Sequence, residues 1–305
     1  GCAPRTATPT TSADRPPDPS PYPTGRQTRA VEAIRIDDPD DERLDDYRTL
    51  TDPELRKRYE GERGVFIVES PLAVEALAGS PHAGATRSVL VGERRLARMA
   101  PVLAALTDLG ATLYTAPAEV LEATAGFALH RGVVAAVDRP DPVSPIELTS
   151  SAGLVLAVEG VDDHENLGAL LRNAAAFGVD AVLLDPTCAD PWYRRSVRVS
   201  MGHVLAVPHA RTGPWPDGLL AATGDARVLA LAPAGKTTVA SLRPRSGPVV
   251  LAVGAEGPGL TDAVLAHPAI ETVRIPMARG VDSLNVATAA AVALSHLTAS
   301  RIGEG

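Results

Sequence analysis

The sequence is poor in cysteine, in aromatic residues and in long apolar runs. Two of its 305 residues are cysteine, Cys2 and Cys188, which argues against a framework of disulfide bonds and favours a reducing compartment. Hydrophobic residues make up 45% of the chain, enough for a buried core. No apolar run reaches the roughly 18 residues that a membrane-spanning helix needs. We therefore expect a soluble, cytoplasmic protein.

Positive charge is also in short supply. The chain has 29 Lys and Arg against 37 Asp and Glu, which gives a formal net charge of −8. This balance argues weakly against a protein that binds nucleic acid by overall electrostatic attraction. Any nucleic-acid binding would have to depend on a local basic patch.

The composition changes along the chain and predicts two α/β domains. Residues 1–30 are rich in Pro, Thr and Ser and predict a disordered tail. Residues 31–140 alternate strand and helix patterns, 141–152 form a polar linker with prolines, and 153–305 alternate again. Strands of the second domain lack polar alternation, which suits a parallel sheet covered on both faces. Its strands are predicted at 154–160, 181–185, 204–208, 227–233, 249–254 and 272–277, and its helices at 166–178, 216–224 and 282–300.

Parallel sheets bind ligands beyond the carboxyl ends of their strands. The first junction of interest there contains Asn166, Gly168 and Arg172. Asn166 is predicted to cap the helix, and Arg172 lies off its buried stripe, as a plain surface arginine also would. A helical glycine costs about 1 kcal/mol relative to alanine, so Gly168 predicts the close approach of a ligand or of another backbone.

Acidic residues and a histidine precede this helix, at 162–165. They allow a metal site, but their consecutive spacing favours a solvated loop, so no metal ion is expected.

The second junction runs from a predicted strand into Gly254, Glu256 and Gly257. The third glycine of a dinucleotide-binding G-x-G-x-x-G is missing, and the glycines could simply form a turn. Glu256 is more informative, because a carboxylate at a strand end can accept hydrogen bonds from an amine, a hydroxyl or an arginine.

The third junction places Ser283, Leu284 and Asn285 between an apolar run, 272–277, and an alanine-rich helix. Ser283 is predicted to cap that helix. Asn285 would then lie in the first turn, where it has poor helix propensity.

A basic and aromatic segment at 185–204 is a further candidate site. Its Arg194, Arg195 and Arg198 follow Trp192 and Tyr193, a combination that suits contacts with phosphates or bases. A solvated charged face fits the same composition equally well.

Together, the three junctions resemble the SpoU (TrmH) family of RNA 2′-O-ribose methyltransferases. Across residues 154–300 they match its motifs in order. The first domain resembles the small ribosomal-protein-like substrate-binding domain that often precedes this catalytic domain. The matching residues are Asn166, Gly168 and Arg172; Gly254, Glu256 and Gly257; Ile275, Pro276, Met277 and 283–286; and, in the first domain, 66–69 and 130–134.

The resemblance implies an α/β fold whose C-terminal parallel-sheet domain is tied into a deep trefoil knot, as in SPOUT-type enzymes. It implies S-adenosylmethionine as cofactor and a homodimer. RNA is the implied substrate, with ribosomal RNA first and transfer RNA second. The implied cofactor contacts are Gly254, Ile275 and Leu284, with Met277 nearby.

The implied reaction is methyl transfer to a ribose 2′-hydroxyl, with catalytic residues Asn166, Arg172, Glu256, Ser283 and Asn285. Since the pKa of arginine exceeds about 12, we expect Arg172 to bind an RNA phosphate and stabilise charge on the reacting oxygen. A phosphate or a perturbed arginine would then take the proton. Glu256 and Asn285 are expected to hold Arg172 or the ribose.

Two rival classes of function remain at this point. One is an RNA-binding relative without catalysis, against which the retention of all three motifs speaks. The other is a nucleotide-dependent oxidoreductase, which the missing dinucleotide motif disfavours.

Overall fold

The computed structural model describes residues 32–48, 50, 59–126, 132–242, 247–281 and 283–302. The predicted tail, 1–30, lies outside these residues. So do His130 and Arg131 of the ribosomal-protein-like motif.

Residues 32–138, here called the N-lobe, contain the first sheet. Its order is β1-β4-β3-β5-β2, and β5 runs antiparallel to both neighbours. The carboxyl ends of β2, β3 and β4 therefore lie at one edge. The strands are β1 (Ile34–Arg35), β2 (Val65–Glu69), β3 (Thr86–Gly92), β4 (Thr112–Ala116) and β5 (Val133–Asp138), and the helices are α1 (Pro71–Ala78), α2 (Glu93–Asp108) and α3 (Ala118–Ala125).

Residues 145–302, the C-lobe, contain a second sheet of order β10-β12-β9-β11-β6-β7-β8. Every pairing in it is parallel, which confirms the predicted sheet type. All of its strands therefore end at one edge. The strands are β6 (Leu154–Glu159), β7 (Ala181–Leu184), β8 (His209–Arg211), β9 (Arg227–Leu231), β10 (Thr237–Thr238), β11 (Val249–Gly254) and β12 (Ile270–Arg274). The helices are α4 (Pro145–Thr149), α5 (His164–Ala176), α6 (Arg194–Val199), α7 (Asp217–Thr223), α8 (Asp262–Leu265) and α9 (Val286–Ile302).

One predicted strand is wrong. Residues 204–208 form no strand, because His203–Leu205 forms a 3-10 turn in which Leu205 N donates to Gly202 O at 3.0 Å. Pairing with β7 begins only at Pro208, whose O accepts from Val182 N at 2.9 Å, and the strand itself is His209–Arg211. Val204 and Leu205 are buried all the same. A short apolar run has the same pattern in a buried turn as in a strand.

The predicted linker, 141–152, contains regular structure. Pro145–Thr149 forms α4, with Ser144 Oγ accepting from Glu147 N at 3.4 Å, and Leu148 packs against the core of the C-lobe. This part of the chain therefore belongs to the C-lobe rather than to a spacer.

The two lobes share one apolar core. A single cluster of buried side chains includes β2, β3 and β5 of the N-lobe together with β6, α5 and α9 of the C-lobe. Trp192 of the C-lobe packs against Phe66 and His82 of the N-lobe, with ring centroids 4.9 and 5.1 Å away. Packed side chains therefore hold the two lobes together, in addition to the covalent connection between them.

Among the described helices, none combines the length and apolar character needed to cross a membrane. The trefoil knot implied by the resemblance stays a prediction.

Candidate active site at the carboxyl edge of the C-lobe sheet

Three polar side chains from the three junctions meet at this edge. The amide nitrogen Nδ2 of Asn285 donates to Oδ1 of Asn166 at 2.8 Å and to Oε1 of Glu256 at 2.5 Å. Asn166 lies in α5, Glu256 follows β11 and Asn285 precedes α9. The sequence predicted that these residues belong to one site, and the fold brings them into hydrogen-bond contact.

Asn285 also begins the last helix. Its Oδ1 accepts from the backbone N of Ala287 at 3.0 Å and of Thr288 at 3.2 Å, as in an N-cap. The prediction that Ser283 caps this helix is therefore wrong. Asn285 takes that role, and α9 starts at Val286, later than predicted.

The prediction that Asn166 caps α5 is also wrong, because Asp163, three residues earlier, is the N-cap. Asp163 Oδ1 accepts from the backbone N of Glu165 and of Asn166, both at 2.8 Å. Because Asp163 caps the helix, the side chain of Asn166 is available to accept the hydrogen bond from Asn285. Asn166 offers its amide oxygen to that contact, so its amide nitrogen is turned away from Asn285.

Arg172 stands apart from this network. Its side chain is exposed, and within the described part of the chain it makes no hydrogen bond or ion pair, so the expected contact with Asn285 is absent. The reason is helical geometry. Six residues separate Arg172 from Asn166, which places the two side chains about 120° apart around α5.

Gly168 has a structural explanation. A Cβ there would lie 2.8 Å from Ser196 O and 2.9 Å from the Cβ of Val199. The glycine lets α5 cross closely over α6, so of the two predicted causes it is a neighbouring backbone that requires it.

The glycine-rich loop after β11 folds back on itself. Gly259 N donates to Ala255 O at 3.0 Å, and a Cβ at Gly254 would lie only 2.1 Å from the carbonyl carbon of Gly259. Gly257 has φ +89°, in the left-handed region that favours glycine. This loop presents the exposed carboxylate of Glu256.

Sequence reasoning missed Glu159, which anchors the far end of the same loop. This carboxylate is buried at the end of β6. Its Oε2 accepts from Thr261 N and its Oε1 from Thr261 Oγ1, each at 2.8 Å. The sequence did contain a signal for this residue, a charged side chain at the end of an otherwise apolar strand.

A cavity opens beside Glu256. All four residues predicted to contact the cofactor line it, and so does Ser283. Its walls are otherwise apolar side chains and backbone groups. The lining residues are Leu231, Ala232, Pro233, Val253, Gly254, Ala255, Glu256, Gly257, Pro258, Gly259, Ile275, Met277, Ser283, Leu284, Val286 and Ala289.

The three arginines predicted to bind RNA form ion pairs at the junction of the lobes. Arg194 lies 3.1 Å and Arg198 3.5 Å from the buried Oε2 of Glu69, while Arg195 pairs with Glu165 at 2.6 Å. Arg194 is 15% exposed and so joins α6 to the N-lobe. Their RNA contacts stay a prediction.

A buried thiol lies away from this site, and the described residues hold no cluster suited to a metal ion. The thiol of Cys188 is buried, and burial raises its pKa to about 12, so it is a poor nucleophile at neutral pH. In the described residues, no group of three or more His, Cys, Asp or Glu side chains is arranged to hold a metal ion.

Comparison with known proteins identifies the family. A model of the SpoU rRNA methylase family matches residues 153–295, which contain all three junctions. A protein of Mycobacterium tuberculosis, described as an uncharacterised tRNA/rRNA methyltransferase, is 45% identical over 275 residues, covering 88% of this chain and 93% of that protein. The chain belongs to the SpoU family. It is thus an RNA methyltransferase of that family.

Two further relatives match over lengths that include parts of both lobes. A 23S rRNA (guanosine-2′-O-)-methyltransferase of Photobacterium profundum is 29% identical over 75% of this chain and 95% of its own length. The crystal structure of an rRNA methyltransferase from Sinorhizobium meliloti, solved with AdoMet bound, matches with a TM-score of 0.74 and 25% identity. That match covers 89% of this chain and 99% of the other.

Proposed function

We propose that this protein transfers a methyl group from S-adenosylmethionine to a ribose 2′-hydroxyl of RNA. The observation that carries the proposal is the hydrogen-bonded group of Asn166, Glu256 and Asn285, assembled from three separate motifs beside one cavity. The guanosine-2′-O specificity of the Photobacterium relative and the AdoMet bound in the Sinorhizobium structure support it.

The cavity fits this cofactor by its chemistry. Apolar walls such as Leu231, Ile275 and Leu284 suit a nucleoside base, and exposed backbone groups of the glycine loop suit its polar edges. The carboxylate of Glu256 suits a cationic group. When bound, S-adenosylmethionine supplies a methyl group on a sulfonium, which passes to the hydroxyl oxygen as the methyl–sulfur bond breaks.

The side chains of the network orient the ribose. Asn285 fixes Asn166 and Glu256 and is itself fixed by the start of α9. The amide nitrogen of Asn166 and the second oxygen of Glu256 are then the donor and acceptor offered to the sugar. Such fixed positioning supplies much of the rate in a displacement that needs the oxygen in line with the methyl group.

Arg172 binds the RNA phosphate and stabilises negative charge on the reacting oxygen. Its exposure and the absence of an ion partner among the described residues leave its guanidinium available for this contact. The hydroxyl proton passes to a phosphate oxygen of the RNA, because a charged guanidinium cannot accept it. Asn285 does not position Arg172, so the bound RNA has to do so.

Ribosomal RNA is the first choice of substrate, and transfer RNA the second. The match to the Photobacterium relative, which acts on 23S rRNA, covers 75% of this chain and so includes part of the N-lobe, which resembles a substrate-binding domain. The homodimer and the cytoplasmic location stay predictions; sedimentation of the purified chain tests the first.

Transfer of labelled methyl groups to purified ribosomal and transfer RNA tests the proposed function. We expect label in ribosomal RNA with the native chain and none with Asn285→Ser. The transfer assay tests the first rival, since a non-catalytic relative would transfer no label. Calorimetry with S-adenosylmethionine and with NAD(P) tests the second, since an oxidoreductase would bind the nicotinamide nucleotide instead.

A further inference from the structure

Three arginines stand at the start of α2 in the N-lobe, around a cavity of about 770 Å³. Arg94 and Arg98 are exposed and, within the described residues, form no ion pair or hydrogen bond. By contrast, Arg43, Arg87 and Arg227 each pair with a carboxylate. Two exposed arginines without an ion pair on one helix are notable in a chain of net charge −8.

Without a bound ligand, this arrangement of charges does not stabilise the N-lobe. Arg94 and Arg98 are four residues apart on one face of α2, where like charges repel. Arg94 also lies in the first turn, where the helix dipole disfavours cations. A bound polyanion would turn both effects from unfavourable to favourable.

Hydrogen bonds place these arginines at the same sheet edge as the junction of the lobes. Gly92 N, just before α2, donates to Gly132 O at 2.9 Å, and Ser70 N donates to Val133 O at 3.3 Å. The strands β2 and β3 flank β5, so their carboxyl ends are roughly 10 Å apart, two strand spacings. At the end of β2, Glu69 binds Arg194 and Arg198.

The side chain of Arg95 bridges part of that distance. A Cβ at Gly132 would lie 3.1 Å from both Cδ and Nε of Arg95, so this side chain covers the start of β5. Arginine side chains therefore follow the edge from α2 toward α6.

At the α6 end, the arginines differ in how strongly they are held. Arg195 is 52% exposed and pairs with Glu165, itself 55% exposed. Exchanging such a surface carboxylate for a phosphate costs little. Arg198 is 33% exposed at 3.5 Å from Glu69, whereas Arg194 is engaged by the same buried carboxylate at closer range.

We propose that Arg94, Arg95, Arg98, Arg195 and Arg198 form one RNA-binding band along the carboxyl edge of the N-lobe sheet. The band rests on the proposed function and extends it, because it carries the RNA backbone from the N-lobe to the lobe that contains Asn166. Three carboxylates also line the α2 cavity: Glu93, which pairs with Arg35, and Glu119 and Glu122 of α3. Because these carboxylates would repel a phosphate inside the cavity, the phosphates contact the arginines along α2.

Single substitutions with a matched control test the band. Arg94→Ala and Arg98→Ala are compared with Arg227→Ala, an exposed arginine at the start of β9 whose loss changes net charge equally. Affinity for purified ribosomal RNA is measured by filter binding at several salt concentrations, and affinity for S-adenosylmethionine by calorimetry.

We expect each band variant to weaken RNA binding several-fold and to lower the salt slope by roughly 0.7–0.9 per lost phosphate contact. The control and the cofactor affinity should not change. RNA affinities equal to that of the native chain, or a control that weakens binding as much, would overturn the band.

The same experiment separates this inference from the proposed function. If the native chain methylates RNA while Arg94→Ala and Arg98→Ala bind RNA normally, the band alone is wrong. If the variants lose RNA affinity but no RNA accepts a methyl group, the band stands and the proposed reaction is wrong.

Discussion

The amide nitrogen of Asn285 lies 2.8 Å from the amide oxygen of Asn166, 119 residues earlier in the chain. This contact ties the start of α9 to the first turn of α5. Since Asn285 also caps α9 and binds Glu256, one side chain links the last helix to both earlier junctions. Its substitution should therefore affect stability and activity separately.

Asn285→Ala should lose both roles, and Asn285→Ser only one. Alanine removes the cap, which costs about 1 kcal/mol of unfolding free energy. Serine can cap but cannot reach Asn166, so it should restore most of the stability and none of the activity. Denaturant unfolding and methyl transfer measured side by side check this, and active Asn285→Ser protein would contradict the role of the network.

Arg172→Ala should strongly lower turnover without disturbing the fold. The side chain is exposed and makes no ion pair with the described residues, so the change in unfolding free energy should stay within about 0.5 kcal/mol. Loss of charge stabilisation should lower the rate about a hundredfold or more. Near-normal turnover of Arg172→Ala or Arg172→Lys, with cofactor binding intact, would refute the assignment.

Glu159→Gln should weaken cofactor binding through the glycine loop. A glutamine oxygen can still accept from Thr261 N and its nitrogen can donate to Thr261 Oγ1, but both contacts lose the strength that the carboxylate charge gives them. We expect a loss of about 1–3 kcal/mol in stability and a raised Kd for S-adenosylmethionine. Thr261→Val, which keeps the backbone bond, should show a smaller effect of the same sign; equal cofactor affinity in all three proteins would exclude this positioning role.

Arg194→Ala and Arg195→Ala should affect different properties: the first should mainly lower stability, and the second should mainly lower RNA affinity. Removing Arg194 leaves Glu69 buried with Arg198 as its remaining ion partner, which should cost on the order of 2 kcal/mol of stability. Removing the exposed Arg195 should cost less than about 1 kcal/mol but weaken RNA binding. Unfolding and filter-binding measurements on both variants decide the matter, and a stable Arg194→Ala would show that the lobes do not depend on this pair.

The junction of the lobes should weaken at low pH. Burial lowers the pKa of His82 and of His209, whose Nδ1 donates to Val207 O while Nε2 is buried without a hydrogen-bond partner in the described structure. The folded state thus favours neutral imidazoles. Their contribution is fully present above the unfolded pKa of about 6.5 and is lost as pH falls through the lower folded values.

Thermal unfolding between pH 7.5 and 5.5, followed by the fluorescence of Trp192 and Trp215, measures this loss. His209 also faces Asp190, which favours its charged form, and Arg211, which opposes it. His209→Gln should flatten the pH dependence in that range. An unchanged slope would show that other groups cause it.

The sequence predicted the two α/β halves and the parallel sheet because long apolar runs, such as 154–159 and 249–254, leave few alternatives. The caps were harder to place. Asp163, Asn166, Ser283 and Asn285 are all good capping residues, and only the fold decides which one meets the exposed backbone amides.

Contacts between distant segments lay beyond the sequence pattern. The spacing of Asn166 and Arg172 is visible in the sequence, but that it turns Arg172 away from Asn285 depends on how α5 lies against α9. The pairing of Arg194 with Glu69 joins residues 125 positions apart. A basic and aromatic segment looks the same whether its charges face RNA or a buried carboxylate.

The most direct measurement is the position of the methyl group on RNA. A 2′-O-methyl group blocks alkaline cleavage of the adjacent phosphodiester, so labelled RNA treated with alkali should release its label in alkali-stable dinucleotides. Label released in mononucleotides, with the methyl group on a base, would contradict the proposed reaction.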